Sequence, residues 1–152
     1  MEISKYMKRN VVSIPETATL QEAASVFVKH HVGLLPVVDQ NQGLVGVVGL
    51  RDLLALQLPD FVNFVADVDF VHNFGAVENT RPSVEILDRS VRTVMRRAIH
   101  VTEDTGLLRA YALMLQHNLH DMPVVSSNQE LVGVASRVDI GTAILSTWDS
   151  VE

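Results

Sequence analysis

One pattern occurs twice in this chain, and the repetition constrains the fold more than any other feature of the sequence. The stretch VGLLPVVDQNQGLVGVVGLRD runs from Val32 to Asp52, and LHDMPVVSSNQELVGVASRVD runs from Leu119 to Asp139. Pro36 and Pro123 lie 87 positions apart, and the two stretches align in that register without a gap. A register kept over this length indicates a tandem repeat of one structural unit.

Each copy is predicted to form a strand containing Pro-Val-Val, a polar turn, a second strand and a helix, because polar clusters separate its short apolar runs. The turns are Asp39 to Gly43 and Ser126 to Glu130, the second strands are Leu44 to Val48 and Leu131 to Ala135, and the helices are entered at Gly49 and Ser136.

A second helix is predicted upstream in each copy. Thr19-x-x-Glu22 has the pattern of a capping box, and the apolar residues that follow recur with the spacing of one helix face. These residues are Leu20, Ala23, Ala24, Phe27 and Val28 in the first copy and Leu107, Ala110, Tyr111, Met114 and Leu115 in the second. A short apolar segment precedes each helix, so the repeating unit has about 45 residues.

The composition excludes several classes of function. The 152 residues are 47% hydrophobic and 20% charged, as in ordinary globular proteins. A formal net charge of −6 argues against a nucleic-acid partner, because phosphate backbones attract basic proteins. The chain has no cysteine, no signal-peptide pattern and no apolar run near the roughly 20 residues of a membrane helix. We therefore expect a cytoplasmic protein without a membrane segment.

Residues 58–90 have no counterpart in the other copy and carry four of the five phenylalanines. Pro59 suits the first position of a helix, and residues 73–83 have the composition of an irregular loop. Two interpretations stay open: the aromatic residues cover the shared core, or they form a docking surface. The chain thus divides into repeat 1 (1–57), an insert (58–90) and repeat 2 (91–152), which together form one domain.

The doubled helix, Pro-Val-Val, Leu-Val-Gly-Val and final Asp resemble a tandem pair of cystathionine beta-synthase domains, the CBS pair or Bateman module. The resemblance covers nearly the whole chain apart from the insert. It implies an α/β (α+β) fold of two β-α-β-β-α units packed about a pseudo-twofold axis. It also implies that adenosyl ligands (AMP, ADP, ATP, S-adenosylmethionine or, in some members, NAD) bind in clefts between the repeats, and that two chains form a homodimer.

By position, Asp139 and Asp52 match the ribose-binding acid of the family. A carboxylate at the third position of a helix can accept two hydrogen bonds from a vicinal diol, and the helix N-terminus offers N–H groups to a phosphate. Ser136 matches a hydroxyl residue that contacts ribose or phosphate in the family, whereas Gly49 supplies no hydroxyl. We therefore expect the second copy to bind more strongly. The alternative is that Ser136 and Asp139 only cap a helix.

The resemblance implies further pocket residues, both ahead of each proline and where the family packs the adenine ring. Asp121 would repel phosphates, which favours AMP or S-adenosylmethionine over ligands with several phosphates. Arg137 and the pair Arg96-Arg97 are candidates for a phosphate contact. The expected ligand-binding residues are Asp139, Ser136, Arg137, His120, Asp121, Ile99, Val101, Thr102, Pro123, Asp52, Val12, Ile14, Leu34 and Pro36.

Metal binding and catalysis have weaker support. His117, His120 and Asp121 lie close in sequence, and His30-His31 matches them in the first copy, so these groups could in principle gather round a metal. They straddle a predicted helix end, where histidine stabilises the dipole, and no recognised ligand motif is present. The sequence has no nucleophile with a nearby base and no Gly-rich phosphate loop. We expect no metal, no required cofactor and no enzymatic activity.

The function expected from the sequence is regulatory. The module would bind an adenosyl compound between its repeats, favour one arrangement of them, and transmit the bound state to an unidentified partner protein. The alternative is a dimeric protein-interaction scaffold with vestigial nucleotide pockets, in which the Phe-rich insert makes the contact.

Overall fold

The computed structural model describes residues 1–57 and 81–150. Its strands are β1 (Ile14–Pro15), β2 (Leu34–Val38), β3 (Leu44–Gly49), β4 (Val101–Thr102), β5 (Asp121–Val125) and β6 (Leu131–Ser136). Its α-helices are α1 (Leu20–His30), α2 (Leu50–Leu54), α3 (Val84–Leu87), α4 (Leu107–Gln116) and α5 (Arg137–Ser146), with 3-10 turns at Ile3–Lys5, Val91–Thr93 and Thr147–Ser150. This order confirms the predicted α/β class with two β-α-β-β-α units.

Each unit forms a three-stranded sheet, in the order β1-β2-β3 or β4-β5-β6. The first pair of strands in each sheet is parallel and the second is antiparallel. Leu34 pairs with Gly49 in the first sheet, and Asp121 pairs with Ser136 in the second. The residues ahead of each proline therefore lie beside the N-terminus of the following helix.

The two polar turns have the same backbone geometry. Gln42 and Gln129, which are 87 positions apart, both adopt the left-handed conformation with φ of 66°. The Asp39 carboxylate accepts the N–H groups of Asn41 and Gly43 at 2.8 and 2.9 Å. The Ser126 hydroxyl accepts the corresponding N–H groups in the second copy at 3.2 and 3.3 Å. The predicted turns are confirmed, and a short polar side chain at the same position stabilises both.

The helix ahead of each proline is amphipathic, but its buried face is shorter than predicted. Thr19 caps α1 by accepting the N–H of Glu22 at 3.1 Å. The buried positions are Leu20, Ala23 and Phe27 in α1, and Leu107, Ala110 and Met114 in α4. Val28 and Leu115, at the end of the predicted faces, are 75% and 55% exposed. Periodicity identifies which side of a helix is apolar, but it cannot show how far the packed sheet extends beneath it.

The segments that precede the two sheets are exchanged between the copies. Ile3 and Met7 are buried in the core of the second copy, whereas Val91 and Met95 belong to the core of the first. Met7 packs on Gly133, where an added Cβ would collide with the methionine side chain, and Met95 packs on Gly46 in the same way. Neither core is complete without residues from the other copy.

Backbone contacts follow the same reciprocal pattern. Lys8 bridges to Val134 of β6, and Arg96 bridges to Val47 of β3. The two turns also meet, since the N–H of Leu44 donates to Gln129 at 3.2 Å and the N–H of Leu131 donates to Gln42 at 3.0 Å. These paired contacts relate the copies by an approximate twofold and bring Arg96 against the first sheet.

The insert is described only in part. The helix predicted from Pro59 lies outside the described residues. Ser83 ends the stretch predicted to be irregular, and its hydroxyl accepts the N–H of Ile86 at 3.3 Å to start α3. In residues 1–57 and 81–150, no helix has the length and apolar character needed to cross a bilayer.

Candidate functional site

A cavity of about 530 Å³ opens between the two repeats. The first copy contributes Gly33, Leu34, Val47, Gly49, Leu50, Arg51 and Leu54, the segment ahead of β4 contributes Arg96, Arg97 and Ile99, and the second copy contributes His117, Asn118, Leu119, His120, Asp121 and Pro123. The volume falls within the roughly 300–1,000 Å³ typical of small-molecule sites. The pairing of the strands and the exchange of the entering segments together create this cavity, because they bring three separate stretches of the chain to one cleft.

Asp52 lies at the rim of this cleft, at the third position of α2. Its Oδ2 accepts the backbone N–H of Gly49 at 2.7 Å and the Nε–H of Arg96 at 3.1 Å. Gly49 leaves room for this ion pair, since a Cβ there would lie 3.3 Å from a terminal nitrogen of Arg96. A half-buried carboxylate, the N-terminus of α2 and a guanidinium from the other repeat therefore meet at one point.

Among the described residues, the charged side chains that line the cavity are mostly positive. They are Arg51, Arg96 and Arg97, with one carboxylate, Asp121. Arg51 and Arg97 are exposed, and their side chains make no hydrogen bond or ion pair with the described part of the chain. These guanidinium groups are available to an anion, while the leucines and isoleucine of the lining suit an apolar ring.

Asp121 occupies the opposite wall of the cavity. Burial raises the pKa of its carboxyl above the ordinary value of 3.8, and neighbouring Asp139 raises the pKa further. Lys8 and His120 act in the opposite direction and lower the pKa. The charged form of this carboxylate is therefore disfavoured by burial and favoured by its two basic neighbours.

The second copy positions its carboxylate in the same way and adds a serine cap. The Ser136 hydroxyl accepts the N–H of Asp139 at 3.0 Å, and the Asp139 carboxylate accepts the N–H of Ser136 at 3.1 Å. These two bonds form the capping box considered for α5, and neither Ser136, Asp139 nor Asp52 itself is among the residues that line the cavity. Arg137, a predicted phosphate contact, donates instead to the carbonyl of Leu119 and to Oδ1 of Asn118.

The remaining expected residues divide into three groups. Leu34, Ile99, His120, Asp121 and Pro123 line the cavity together. Ile14, Pro36 and Val101 are buried in the sheets, and Val12 packs against the first core. Thr102 lies in a separate open depression of about 460 Å³, where its hydroxyl donates to Asp104 at 2.6 Å. The adenine-packing positions are thus not all brought to one place.

Several cavity residues are absent from the expected set. Leu50, Arg51 and Leu54 belong to α2, and His117 to Leu119 form the loop between α4 and β5. The pairing of Leu34 with Gly49 would have placed the start of α2 beside the proline segment. Nothing in the sequence indicates that the start of α2 faces the other repeat. Among residues 1–57 and 81–150, no three His, Cys, Asp or Glu side chains gather in a way that could hold a metal ion.

Comparison with known proteins places this architecture in a family. A family model described as the CBS domain matches residues 3–58 and 91–146, one match for each repeat. An uncharacterized protein of Methanocaldococcus jannaschii is 29% identical over 133 residues, which cover 87% of this chain and 36% of the relative. The chain therefore spans about a third of that relative's length.

Solved structures share the fold over almost the whole chain. CBSX2 from Arabidopsis thaliana, crystallised in complex with AMP, has a TM-score of 0.72 and 25% identity, covering 97% of this chain and 98% of that one. The CBS domain pair of protein MJ0100, in complex with 5′-methylthioadenosine and S-adenosyl-L-methionine, has a TM-score of 0.68 at 18% identity, covering 97% of this chain and 98% of that one. The resemblance noted from the sequence is confirmed, and this chain belongs to the CBS domain family as a tandem pair.

Proposed function

We propose that this chain is a regulatory module that binds an adenosyl compound in the cavity between its repeats and transmits the bound state to a partner protein. The observation that carries the proposal is the composition of the cavity wall. Leu34, Leu50 and Ile99 offer apolar surface for a purine ring, while Arg96 and Arg97 offer positive charge for a phosphate. Adenosine monophosphate combines these two chemical characters.

We further propose that Asp52 accepts the ribose hydroxyls. Its position at the start of α2, where Gly49 supplies no side-chain cap, suits a vicinal diol next to a phosphate. This reverses the order expected from the sequence, in which Asp139 contributes more than Asp52. We place more weight on Asp52 because its carboxylate contacts Gly49 and Arg96, both of which line the cavity.

Relatives support the choice of ligand class. CBSX2 has been crystallised with AMP and matches this chain from end to end at 25% identity. The net positive lining of the present cavity favours AMP over the sulfonium-bearing S-adenosylmethionine, since like charges repel across a low-dielectric cleft. Asp121 on the far wall continues to disfavour ligands that extend to a second or third phosphate.

A thermal-shift panel of AMP, ADP, ATP, S-adenosylmethionine and NAD tests the proposal. A ligand present at 100 times its dissociation constant stabilises the folded state by about 2.7 kcal/mol, or roughly 5–11 °C for a chain of this size. We expect AMP to give the largest shift. If no compound changes the melting temperature at millimolar concentration, the module does not bind adenosyl ligands.

The alternative function is a dimeric interaction scaffold, and the exposed apolar side chains favour it. Val28 and Leu115 occupy equivalent positions of α1 and α4, and Leu145 and Trp148 are also exposed. Ile140 and Ala143 of α5 are buried in the second core and do not contribute to this exposed surface. We propose that the homodimer forms through Val28, Leu115 and Leu145, and that this dimer exists under either function.

A further inference from the structure

The ion pair between Arg96 and Asp52 occupies the carboxylate that a ribose would use. Both donors, the N–H of Gly49 and the Nε–H of Arg96, reach the same oxygen, Oδ2. A vicinal diol that engages both carboxylate oxygens must compete for Oδ2. Arg96 is the donor that can leave, because its side chain is 55% exposed whereas the N–H of Gly49 is fixed in the backbone of the helix start.

Displacing Arg96 has a different free-energy cost for different ligands. A ligand that carries a phosphate offers the guanidinium a new anion inside the same cavity, so one ion pair is exchanged for another. Adenosine offers no such anion, so the guanidinium would exchange its ion pair for water alone, at the modest cost of losing an exposed ion pair. Arg97 lies in the same wall and can add to the attraction for phosphate, but it does not contact Asp52.

We propose that Arg96 is a specificity-determining residue, which releases Asp52 more readily to a ligand that brings its own negative charge. This inference rests on the proposed function and adds the ligand class that the cavity selects, a nucleoside 5′-monophosphate rather than an uncharged nucleoside. The phosphate and the diol are then recognised together, because binding of the first frees the acceptor for the second.

The second copy shows why this arrangement belongs to the first copy alone. Lys8 takes the place of Arg96, since it bridges to Val134 as Arg96 bridges to Val47. Ser136 takes the place of Gly49, where an added Cβ would lie 3.3 Å from the end of Arg96. Within the described residues Lys8 forms no ion pair with Asp139. Arg92 forms an exposed ion pair with Glu16 and does not line the cavity, so Arg92→Met serves as the matched control.

The test measures AMP and adenosine binding by calorimetry in the full chain. Arg96→Met should weaken AMP binding about tenfold, as expected for loss of a charged hydrogen bond. The same variant should strengthen adenosine binding by about two- to fivefold, the size of an exposed ion pair that no longer competes. Arg97→Met should weaken AMP binding without strengthening adenosine binding, and Arg92→Met should change neither.

A second variant removes the competition and keeps the guanidinium. Gly49→Ser places a Cβ 3.1 Å from Oδ2 of Asp52 and 3.3 Å from the end of Arg96, crowding the ion pair while leaving the charge in the cavity. It should strengthen adenosine binding relative to AMP binding. Circular dichroism checks that each variant is folded.

The outcomes separate this inference from the function on which it rests. If AMP binds to the wild type but neither Arg96→Met nor Gly49→Ser strengthens adenosine binding, Arg96 does not control access to Asp52 and the inference is wrong. If neither AMP nor adenosine binds to any of the proteins, the proposed function fails and the inference fails with it.

Discussion

Nε of Arg96 lies 3.1 Å from Oδ2 of Asp52, so a side chain from the segment ahead of the second sheet contacts the last helix of the first repeat. The contact exists because the entering segments are exchanged: Arg96 directly follows Met95, which packs on Gly46 of the first sheet. A ligand bound at Asp52, as proposed, would therefore act on the contact between the repeats. This position suits a module whose output is a change in their arrangement.

Exchange of the entering segments makes the second core dependent on Met7. Its side chain is buried beside Met122, Val124 and Ile140, and its removal would leave a cavity that Gly133 cannot fill. We expect Met7→Ala to lower the free energy of unfolding by about 2–5 kcal/mol. Urea denaturation measures this loss, and a loss under about 1 kcal/mol would show that the packing is unimportant.

A fragment test follows from the same exchange. Residues 91–152 contain the second sheet and both of its helices but lack Ile3 and Met7, and they expose Val91 and Met95 that belong to the first core. We expect this fragment to be unfolded, since a unit of this size also buries little surface. A cooperative thermal melt and dispersed amide resonances from this fragment would contradict the claim that each core needs residues from the other copy.

The two helix-start carboxylates should behave differently on substitution. Asp52→Asn should weaken AMP binding by about one to two factors of ten, since hydrogen bonds to a charged group contribute roughly 1.5–3 kcal/mol. Asp139→Asn should leave AMP binding within about threefold and change mainly the melting temperature, because Asp139 and Ser136 cap α5. Parallel calorimetric titrations of the two variants decide between the sites. A larger loss of AMP affinity in Asp139→Asn than in Asp52→Asn would show that the second copy binds more strongly, as expected from the sequence.

The raised pKa of Asp121 predicts a pH-dependent effect on stability. The folded state binds this proton more tightly than the unfolded chain, so burial of the charged form destabilises the protein at neutral pH. This penalty disappears as the pH falls through the raised pKa towards the ordinary 3.8. Asp121→Asn should therefore melt higher than the wild type at pH 7, and the difference should shrink on acidification. A variant that is less stable at pH 7 would mean that the carboxylate forms a favourable contact there.

Oligomeric state tests the exposed apolar residues. We expect the wild type to sediment at twice its 16.8 kDa mass at tens of micromolar and Val28→Glu to sediment as a monomer. Burial of a glutamate charge at the centre of an apolar interface costs more free energy than this association provides. Lys29→Glu changes the charge of the adjacent exposed residue and should leave the dimer intact. If the wild type is monomeric both with and without AMP, the proposed homodimer is wrong.

Much of the fold could be predicted because it depends on patterns among residues that are close in sequence. The spacing of 87 between the copies and the periodicity of the apolar residues predicted the turns, the strands and the apolar side of α1, although the buried face of α1 is shorter than predicted. The family resemblance identified Leu34, Ile99, His120, Asp121 and Pro123, which the fold brings to one cavity. These residues share fixed positions relative to the prolines.

The remainder depends on long-range contacts that no local pattern reports. Exchange of the entering segments places Arg96 on the first repeat, and the sequence shows only a pair of arginines ahead of a strand. The presence of a serine at Ser136 suggested a stronger second site, whereas its hydroxyl is used within its own helix cap. A hydroxyl that caps a helix and one that binds a ligand have the same sequence signature.

Calorimetric titration of AMP into a cavity-blocked variant tests the central claim most directly. Gly33 lines the cavity, and a Cβ added there meets nothing within 4 Å, so Gly33→Trp can be accommodated while its ring obstructs the cleft. Gly106 lies outside this cavity, and a Cβ there meets only the Met1 carbonyl oxygen at 3.9 Å, which makes Gly106→Trp the matched control. We expect AMP to bind the wild type and Gly106→Trp with equal affinity and Gly33→Trp at least about tenfold more weakly. Equal binding to all three proteins, or no binding to the wild type, would contradict a ligand site between the repeats.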